Sequence, residues 1–404
     1  MTGHVVVVGG GVAGVSTVGA LRSGGYTGAL TLVDAGEFPY DRPPLSKAYL
    51  AGTTDAKQIA LQPPDWYDEQ RIRFVGWTTA TELARSTGEV ALSDGTRLRA
   101  DRVVLATGGG AARPPLQGAT SERVHVLRTL DDADRLRDAL AGGGRLLIVG
   151  GGLIGAEVAS TAVKLGCEVV LADPVVPPLA GAVGAELAEW LHADHRMHGI
   201  ELVTAAVTAL STRADGVTAR LGTDSTERLF DAVLLAVGMS PQTELAEAAG
   251  LAVDRGIVVG PDQVTSNPAV LAVGDPVRIR TAEGLARRTE HWEAAGRQGR
   301  RAAATILGTN PEPDGAPWFW TDRHDRHVEA VGHLADAETT VRRGEFGDAK
   351  VAVFGLVGDR LVAAAAVDDP TAIRAGRRLI DRAITVDPAE LADPAVELRK
   401  LLRR

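Results

Sequence analysis

The chain opens on a strand and a glycine turn, written in His4–Gly14 as HVVVVGGGVAG. Four consecutive valines predict a strand that is buried on both faces, as in a parallel sheet. The glycines have the pattern Gly-x-Gly-x-x-Gly, and a helix-like stretch follows to about Arg22. A second strand is predicted over 30–33 and ends at Asp34. This order of elements predicts the β-turn-α-β start of a doubly wound fold.

The glycine turn has the pattern of a dinucleotide-binding fingerprint. Its glycines let the backbone turn tightly and approach a pyrophosphate, and the positive end of the next helix faces the phosphates. Asp34 lies 20 residues after Gly14, where a carboxylate accepts hydrogen bonds from a ribose diol. A glycine turn of purely structural use is the alternative. The preceding strand, the following helix and the acid together favour nucleotide binding.

The same pattern recurs near the middle of the chain. A strand over 145–149 precedes the glycine turn Gly150–Gly155, a helix is predicted over 156–165, and a strand over 169–172 ends at Asp173. Two such folds in one chain suggest two dinucleotides, one held permanently and one visiting. FAD and a nicotinamide cofactor fit this combination. A vestigial second fold is the alternative.

The residues after the second acid bear on the choice of nicotinamide cofactor. Asp173 is followed by Pro174, Val175 and Val176. Because no arginine or lysine stands there to pair with a 2′-phosphate, the sequence favours NADH over NADPH.

Composition excludes several classes of protein. The net charge of −9 disfavours nucleic acid as a partner. No apolar run reaches the roughly 18 residues that a membrane span needs. The first strand begins almost at the N-terminus, so no signal peptide is expected, and a cytoplasmic location is the default. The single cysteine, Cys167, excludes an intramolecular disulfide and a cysteine-pair metal site.

Three further predicted strands end on small residues, namely 103–106 before Thr107-Gly108, 232–237 before Gly238, and 270–273 before Gly274-Asp275. Residues 308–317 are rich in proline and glycine and predict a linker. The chain after residue 317 first alternates apolar and polar residues, which predicts strands, and then has a helical pattern. We therefore predict an α/β protein with two Rossmann-like dinucleotide-binding domains and an α+β C-terminal domain.

The run Phe38–Lys47, FPYDRPPLSK, strongly resembles the ferredoxin reductases of the putidaredoxin-reductase type. These flavoproteins serve bacterial cytochrome P450 and Rieske oxygenase systems. The resemblance covers nearly the whole chain. It continues through Leu127-Arg128-Thr129-Leu130, Leu153-Ile154-Gly155-Ala156-Glu157, Thr243-Glu244-Leu245, Gly274-Asp275, Glu290-His291-Trp292 and Pro317-Trp318-Phe319-Trp320.

The resemblance implies a glutathione-reductase-like arrangement with FAD and NADH as cofactors. The first glycine turn and Gly274-Asp275 both match FAD-binding positions, yet the second glycine turn lies between them in the sequence. The expected domains are therefore an FAD domain of 1–112 and 236–314, an NAD domain of 113–235, and a C-terminal domain of 315–404.

The resemblance also implies a charged pair at the flavin. Lys47 matches the lysine beside the hydride-accepting N5, and Glu157 matches the acid that pairs with it. A cation next to N5 favours the reduced, anionic flavin. The alternatives are a solvated surface charge for Lys47 and an acid in the first helical turn for Glu157.

The fingerprints and the resemblance together give two sets of expected contacts, and no metal site is expected. The FAD positions are Gly9, Gly11, Val12, Ala13, Gly14, Asp34, Arg42, Lys47, Ala80, Ala106, Thr107, Gly108, Arg128, Gly274, Asp275, Glu290, His291, Trp292 and Trp320. The NAD positions are Gly150, Gly152, Leu153, Ile154, Gly155, Glu157, Asp173 and Gly238. For Trp320, plain core packing is the alternative.

One stretch departs from the relatives. After Trp320 they usually carry a Gln-Tyr-Asp-Leu-Lys-like sequence, where this chain has Arg323-His324-Asp325-Arg326-His327. The difference concerns the local surface near the flavin and the partner that it accepts. His324 and His327 are expected to be surface residues rather than metal ligands.

The absence of a redox cysteine in the sequence bears on how electrons leave the protein. Disulfide reductases need a redox cysteine on the first long helix or just beyond it, where this chain has Arg42-Pro43-Pro44-Leu45-Ser46. Electrons must therefore leave from the flavin itself, which suits a small iron–sulfur ferredoxin. A diaphorase with a quinone or other small acceptor is an alternative. A flavoprotein acting by interaction, similar to apoptosis-inducing factor, is another, although the acidic balance argues against it.

A basic segment is the candidate docking surface for an acidic ferredoxin. Residues 278–301 hold seven arginines and three acids. Arg297, Arg300 and Arg301 have i, i+3 and i+4 spacing, so they share one helix face. A solvated helix face that pairs with acids elsewhere is the alternative. A monomer or weak dimer is expected.

Overall fold

The computed structural model describes residues 3–85, 88–223 and 226–403. Its α-helices are α1 Val12–Ser23, α2 Pro64–Glu69, α3 Leu130–Leu140, α4 Leu153–Lys164, α5 Ala180–Val183, α6 Ala185–Met197, α7 Glu244–Ala248, α8 Trp292–Leu307, α9 Pro370–Asp381, α10 Pro388–Ala392 and α11 Leu398–Leu401. Two short 3₁₀ helices are Pro43–Ser46 and Leu334–Asp336.

The strands follow one another along the whole described chain. They are β1 His4–Val8, β2 Ala29–Val33, β3 Ile72–Val75, β4 Ala80–Ala84, β5 Glu89–Leu92, β6 Arg97–Arg99, β7 Arg102–Leu105, β8 Gly109–Ala111, β9 Val124–His125, β10 Gly144–Val149, β11 Cys167–Ala172, β12 Glu201–Val203, β13 Val207–Arg213, β14 Gly216–Leu221, β15 Glu227–Phe230, β16 Ala232–Leu235, β17 Met239–Pro241, β18 Ile257–Val259, β19 Val270–Ala272, β20 Val277–Thr281, β21 Gly284–Leu285, β22 Trp318–Arg323, β23 Arg326–Val331, β24 Thr339–Arg343, β25 Val351–Val357 and β26 Arg360–Val367.

The chain divides into two compact units. Unit 1 comprises the described residues of 3–42, 55–110 and 239–313, and unit 2 those of 43–54, 111–238 and 314–403. The short segment 43–54 belongs to unit 2 although the chain on both sides of it belongs to unit 1. The three expected domains stay a proposal, because unit 2 holds both the second glycine turn and the C-terminal segment.

Unit 1 is built on a parallel five-stranded sheet in the order β19-β7-β1-β2-β3. Strand β1 lies in the middle, with Val6 opposite Thr31 of β2 and Val103 of β7. Val5 and Val7 enter one apolar cluster, whereas Val6 enters another. Successive side chains of a strand point to opposite faces, so the sheet is covered on both sides. The expectation of a doubly buried strand is confirmed.

Helix α8 packs directly on α1 within unit 1. A Cβ atom added to Gly299 would lie 2.4 Å from the carbonyl oxygen of Ala13, so the two helix backbones touch there. Ala302, Ala303 and Ile306 of α8 are buried in the cluster that also holds α1. This packing fixes the start of α8 relative to the first glycine turn.

Unit 2 repeats the parallel sheet with the order β12-β11-β10-β16-β9. Leu147 of the central strand β10 lies opposite Val170 of β11 and Val233 of β16. Helix α3 begins at a capping box in which the Thr129 hydroxyl accepts from the Asp132 N–H and the Asp132 carboxylate accepts from the Thr129 N–H. The internal duplication predicted from the glycine patterns is thus confirmed at the level of the sheets.

The C-terminal part of unit 2 is an antiparallel sheet in the order β22-β23-β26-β25-β24 with helix α9 packed on it. Ile373 and Leu379 of α9 share an apolar cluster with Phe354 of β25. The predicted α+β domain is confirmed, and the segment 308–317 before it contains neither helix nor strand. In the described parts of the chain, no helix is long and apolar enough to cross a membrane.

Candidate active site

The first glycine turn joins β1 to α1 by a close backbone approach. A Cβ atom added to Gly14 would lie 1.9 Å from the carbonyl oxygen of Gly9. The Oδ2 atom of Asp34 accepts the N–H of Gly10 at 2.5 Å, and its Oδ1 atom accepts the N–H of Gly36 at 2.7 Å. Two backbone donors therefore fix this carboxylate at the end of β2, the position of the ribose-binding acid in doubly wound folds.

The start of α1 is suited to an anion. Gly11 is the N-cap residue and provides no side-chain cap, so the first N–H groups of the helix remain donors for a ligand. The guanidinium of Arg42 lies close by, because a Cβ atom added to Gly11 would be 2.9 Å from its Nη1 atom. This glycine cradle with Asp34 beside it fits the pyrophosphate and adenosine ribose of FAD.

Other predicted FAD positions lie at the same edge of unit 1. Gly274 packs against α1, since a Cβ atom added to it would lie 3.1 Å from the Ala13 Cβ. The N–H of Ala106 donates to the carbonyl of Val8, which sets Ala106, Thr107 and Gly108 beside the end of β1. The sheet brings these residues to its carboxyl edge, where open α/β sheets bind ligands.

The start of α8 carries an exposed aromatic side chain. Trp292 is 42% exposed, and its Nε1–H donates to Asp41 Oδ1 at 2.8 Å. His291 is the N-cap residue of α8, and Glu290 forms an ion pair with Arg288 at 2.8 Å. Trp292 is therefore held by its ring nitrogen while much of its side chain is exposed to solvent. Ala80, at the start of β4, is partly buried.

The second glycine turn copies the first in its hydrogen bonds. Asp173 Oδ2 accepts the N–H of Gly151 at 2.7 Å, and Oδ1 accepts the N–H of Val175 at 2.7 Å. A Cβ atom added to Gly155 would lie 1.9 Å from the carbonyl oxygen of Gly150. Because the acid is fixed by the same two kinds of donor, the turn is suited to a second ribose and pyrophosphate.

Exposed apolar side chains follow three adjacent strands of unit 2. They stand after β10, β11 and β16, which end at one edge of the parallel sheet. Their exposed fractions are 41% for Ile154, 65% for Val175, 45% for Val176 and 42% for Val237. Apolar surface gathered at the carboxyl edge is typical of a ligand site, and Gly238 adjoins it.

Lys47 belongs to unit 2 and forms two ion pairs there. Its Nζ atom lies 3.3 Å from Glu157 Oε1 and 2.9 Å from Asp322 Oδ2. The side chain is 19% exposed, and Nζ lies 5.4 Å from the centroid of the Trp320 ring. The alternative of a solvated surface charge is therefore wrong for Lys47.

Glu157 is buried and fully engaged. Its Oε2 atom accepts the hydroxyl of Ser46 at 2.5 Å, and its Oε1 atom accepts the hydroxyl of Thr321 at 2.7 Å and the N–H of Asp322 at 3.3 Å. The first turn of α4 contains no acidic residue, and Glu157 lies beyond that turn. Glu157 therefore positions Lys47 rather than capping its own helix.

The C-terminal sheet supplies the remaining parts of this site. Trp318 and Trp320 alternate along β22 and stack at 5.0 Å between ring centroids. Trp320 is partly exposed rather than fully buried, and its place beside the flavin stays a prediction. Arg128, also of unit 2, directly precedes the N-cap of α3, and its N–H donates to Asp132 Oδ2 at 3.1 Å.

The sequence did not identify Asp322, Thr321 or Ser46 as members of the Lys47 site. Asp322 makes the shorter of the two ion pairs, although it lies far from Lys47 along the chain. Burial alone would raise the pKa of Asp322, but hydrogen bonds from His327 and Lys47 and their positive charges hold it below its usual value. The alternation of β22, with Trp320 and Asp322 on one face, is the only sequence signal for this placement.

The expectation that His324 is a surface residue is wrong. His324 is buried in the turn between β22 and β23, and its N–H donates to Ser160 Oγ at 2.7 Å. Its Nε2 atom lies 2.8 Å from His195 Nδ1, and its ring stacks on that of His198. His327, in contrast, is partly exposed, as predicted. Among the described residues, no group of three or more potential ligands is arranged to hold a metal ion.

Comparison with known proteins places this architecture in a family. The pyridine nucleotide-disulphide oxidoreductase model matches residues 3–299, and the reductase C-terminal model matches residues 318–402. Putidaredoxin reductase CamA of Pseudomonas putida is 37% identical over 407 residues, which cover 99% of this chain and 96% of that protein. The ferredoxin–NAD(+) reductase component of an anthranilate 1,2-dioxygenase system from Burkholderia cepacia is 36% identical, with 98% of each chain covered.

A solved structure agrees with the sequence relatives. The reductase chain in the crystal structure of the covalent putidaredoxin reductase–putidaredoxin complex superposes with a TM-score of 0.93 at 35% identity, covering 99% of this chain and 98% of that chain. The fold is that of the disulphide oxidoreductases, with Rossmann-like parallel sheets and an antiparallel C-terminal sheet. This chain belongs to the pyridine nucleotide-disulphide oxidoreductase family.

Proposed function

We propose that this protein is an FAD-dependent NADH:ferredoxin oxidoreductase that supplies electrons to a P450 or Rieske oxygenase. The observation that carries the proposal is the pair of matching nucleotide cradles, in which Asp34 and Asp173 are each fixed by two backbone donors. Relatives named as ferredoxin reductases cover nearly the whole chain and support it.

FAD is assigned to the first cradle and NADH to the second. Arg42 beside the first turn adds a positive charge for a pyrophosphate. Asp173 would repel a 2′-phosphate, and Pro174, Val175 and Val176 offer no cation to offset that repulsion. We assign 1–112 with 236–314 to the FAD domain, 113–235 to the NAD domain and 315–404 to the C-terminal domain. We further propose a cytoplasmic monomer or weak dimer.

Lys47 is proposed to act at the flavin ring. The flavin supplies the chemistry, because it accepts a hydride and releases electrons one at a time. Lys47 supplies a positive charge that Glu157 and Asp322 hold in one place. A fixed charge of this kind favours the reduced state without reorganisation during the reaction.

Thiol chemistry does not account for electron exit. Cys167, on β11, is buried, and burial raises the pKa of its thiol. A reactive cysteine requires the thiolate form. The segment Pro43–Ser46 offers no sulfur. Electrons therefore pass from the flavin to the partner without a protein disulfide.

The basic segment of unit 1 is proposed as the ferredoxin dock, and the structure sorts its arginines into two groups. Arg297 is ion-paired with Glu293 at 3.0 Å and is 15% exposed, and Arg301 donates to the carbonyls of Pro261 and Glu312. These arginines stabilise unit 1 itself. The arginines that expose their side chains to solvent are Arg280, Arg287 and Arg300.

The exposed arginines give the sharper test. Reversing Arg280, Arg287 and Arg300 to glutamate should slow reduction of a [2Fe–2S] ferredoxin at low salt, because complementary charge mainly raises the association rate. NADH–ferricyanide activity should be unchanged. Arg99→Glu, at an exposed arginine outside the segment, is the matched control.

Two results would reject parts of the proposal. Equal loss of both activities, or ferredoxin reduction that does not respond to salt, would exclude this segment as the dock. Rapid NADH oxidation with a quinone, together with no reduction of any ferredoxin supplied, would favour the diaphorase alternative.

A further inference from the structure

His327 extends the Lys47 site toward solvent. Its Nδ1 atom lies 2.5 Å from Asp322 Oδ1, while Asp322 Oδ2 lies 2.9 Å from Lys47 Nζ. One carboxylate thus bridges the lysine and the imidazole.

The surroundings of His327 combine access to solvent with several charged groups. The side chain is 43% exposed, which gives it access to water. Glu329 Oε2 lies 3.8 Å from its Nε2 atom, and the Asp368 carboxylate accepts its backbone N–H at 2.9 Å. The charged groups that face it are therefore Asp322 from β22, Glu329 from β23, Asp368 after β26, and Lys47 through Asp322.

Glu329 is itself held in place. Its Oε1 atom accepts the Nε1–H of Trp318 at 3.0 Å, and its side chain is 12% exposed. Glu329 therefore stays beside the imidazole in either protonation state. The strands β22 and β23 also pair Asp322 directly with His327, so the contact is fixed by the sheet register.

We propose that His327 is a pH-sensitive positioning residue that sets the charge of the Asp322–Lys47 pair and thereby the reduction potential of the flavin. The inference rests on the proposed placement of Lys47 at the flavin. Imidazole is the side chain that ordinarily changes charge between pH 5 and 8. With His327 neutral, the carboxylates of Asp322 and Glu157 outweigh the charge of Lys47. With His327 protonated, Asp322 is shared by two cations and the cluster gains one unit of positive charge.

The consequence is that the reduction potential of the flavin depends on pH through His327, in addition to the dependence that the flavin itself has. An added positive charge near the ring stabilises the anionic reduced form. The protonated state of His327 therefore raises the potential, and the neutral state lowers it. A lysine at this position would remove this dependence, because lysine stays charged across the neutral range.

Two variants bracket the wild-type protein. His327→Lys fixes a cation at this position, and His327→Gln fixes a neutral side chain. The flavin midpoint potential is measured by dye equilibration of the holoenzyme from pH 5.5 to 8.5. The wild-type potential should follow that of His327→Lys at low pH and cross to that of His327→Gln at high pH.

Measurements on the apoprotein and on Lys47 separate the possible failures. The imidazole of His327, followed by nuclear magnetic resonance in apoprotein, should titrate at lower pH in Asp322→Asn because a carboxylate partner is lost. The inference is wrong if Lys47→Met changes the midpoint potential while the differences in midpoint potential between wild type and the two His327 variants stay constant at every pH. If Lys47→Met leaves the potential unchanged, the proposed placement of Lys47 is wrong.

Discussion

Lowering the pH from 8 to 5 should destabilise unit 2 through two buried histidines. His195 and His324 are 1% and 7% exposed and share a hydrogen bond of 2.8 Å. Burial is the main cause that lowers the pKa of His195 to about 2 and that of His324 to about 4, and the Arg323 guanidinium acts in the same direction. Both side chains are therefore neutral in the folded protein at pH 5.

The magnitude follows from the difference in bound protons. Histidine in the unfolded chain has a pKa near 6.5, so between that value and the folded pKa the unfolded state binds more protons. The contribution to stability is full above about pH 6.5 and is lost as the pH falls toward the folded pKa. A pH of 5 lies about 1.5 pH units below the unfolded pKa, and each unit is worth about 1.36 kcal/mol. His324 alone therefore lowers the free energy of unfolding at pH 5 by about 2 kcal/mol. His195 acts in the same direction.

Urea unfolding of the holoenzyme, followed by circular dichroism at pH 8 and pH 5, measures this loss. His324→Gln keeps a hydrogen-bonding group beside His195 but cannot titrate, so it should lose about 2 kcal/mol less than wild type between the two pH values. His333→Gln, at an exposed histidine, should behave as wild type. Equal pH dependence in His324→Gln and wild type would refute the reasoning.

Three further outcomes are expected. Lys47→Met should retain FAD and slow hydride transfer, since the cradle and not the lysine anchors the cofactor; stopped-flow reduction at an unchanged rate would remove Lys47 from the mechanism. Asp173→Ala should narrow the preference for NADH over NADPH in kcat/KM, and a wild-type preference for NADPH would contradict the role of Asp173. Ferredoxin reduction should slow as ionic strength rises while ferricyanide reduction does not, and a flat salt profile would exclude electrostatic docking.

Much of the fold was predictable because each parallel strand carries its own signal. The valines of β1 and the apolar run of β10 are buried on both faces, and the glycines after them mark the turns. The predicted strands 145–149 and 169–172 lie inside the observed β10 and β11. Local chemistry decides these elements, so sequence alone sufficed.

The site was predictable only in part, because its contacts are long-range. The resemblance predicts Lys47 and Glu157, whereas Asp322 reaches Lys47 through the fold of unit 2 and has only the alternation of β22 as a local signal. The expectation for His324 is wrong although it lies in a two-residue hairpin turn, where side chains are ordinarily exposed. Here Ser160 and His195 hold the turn against α4 and α6, and nothing in its own sequence indicates that packing.

The central claim is that electrons from NADH leave the flavin singly for an iron–sulfur protein. Its most direct test is an anaerobic titration in which a catalytic amount of this protein and limiting NADH are mixed with an excess of oxidised [2Fe–2S] ferredoxin. The account predicts two ferredoxins reduced for each NADH consumed, with no reduction when this protein is omitted. NADH that bleaches the flavin while the ferredoxin stays oxidised, with a quinone reduced in its place, would contradict the account.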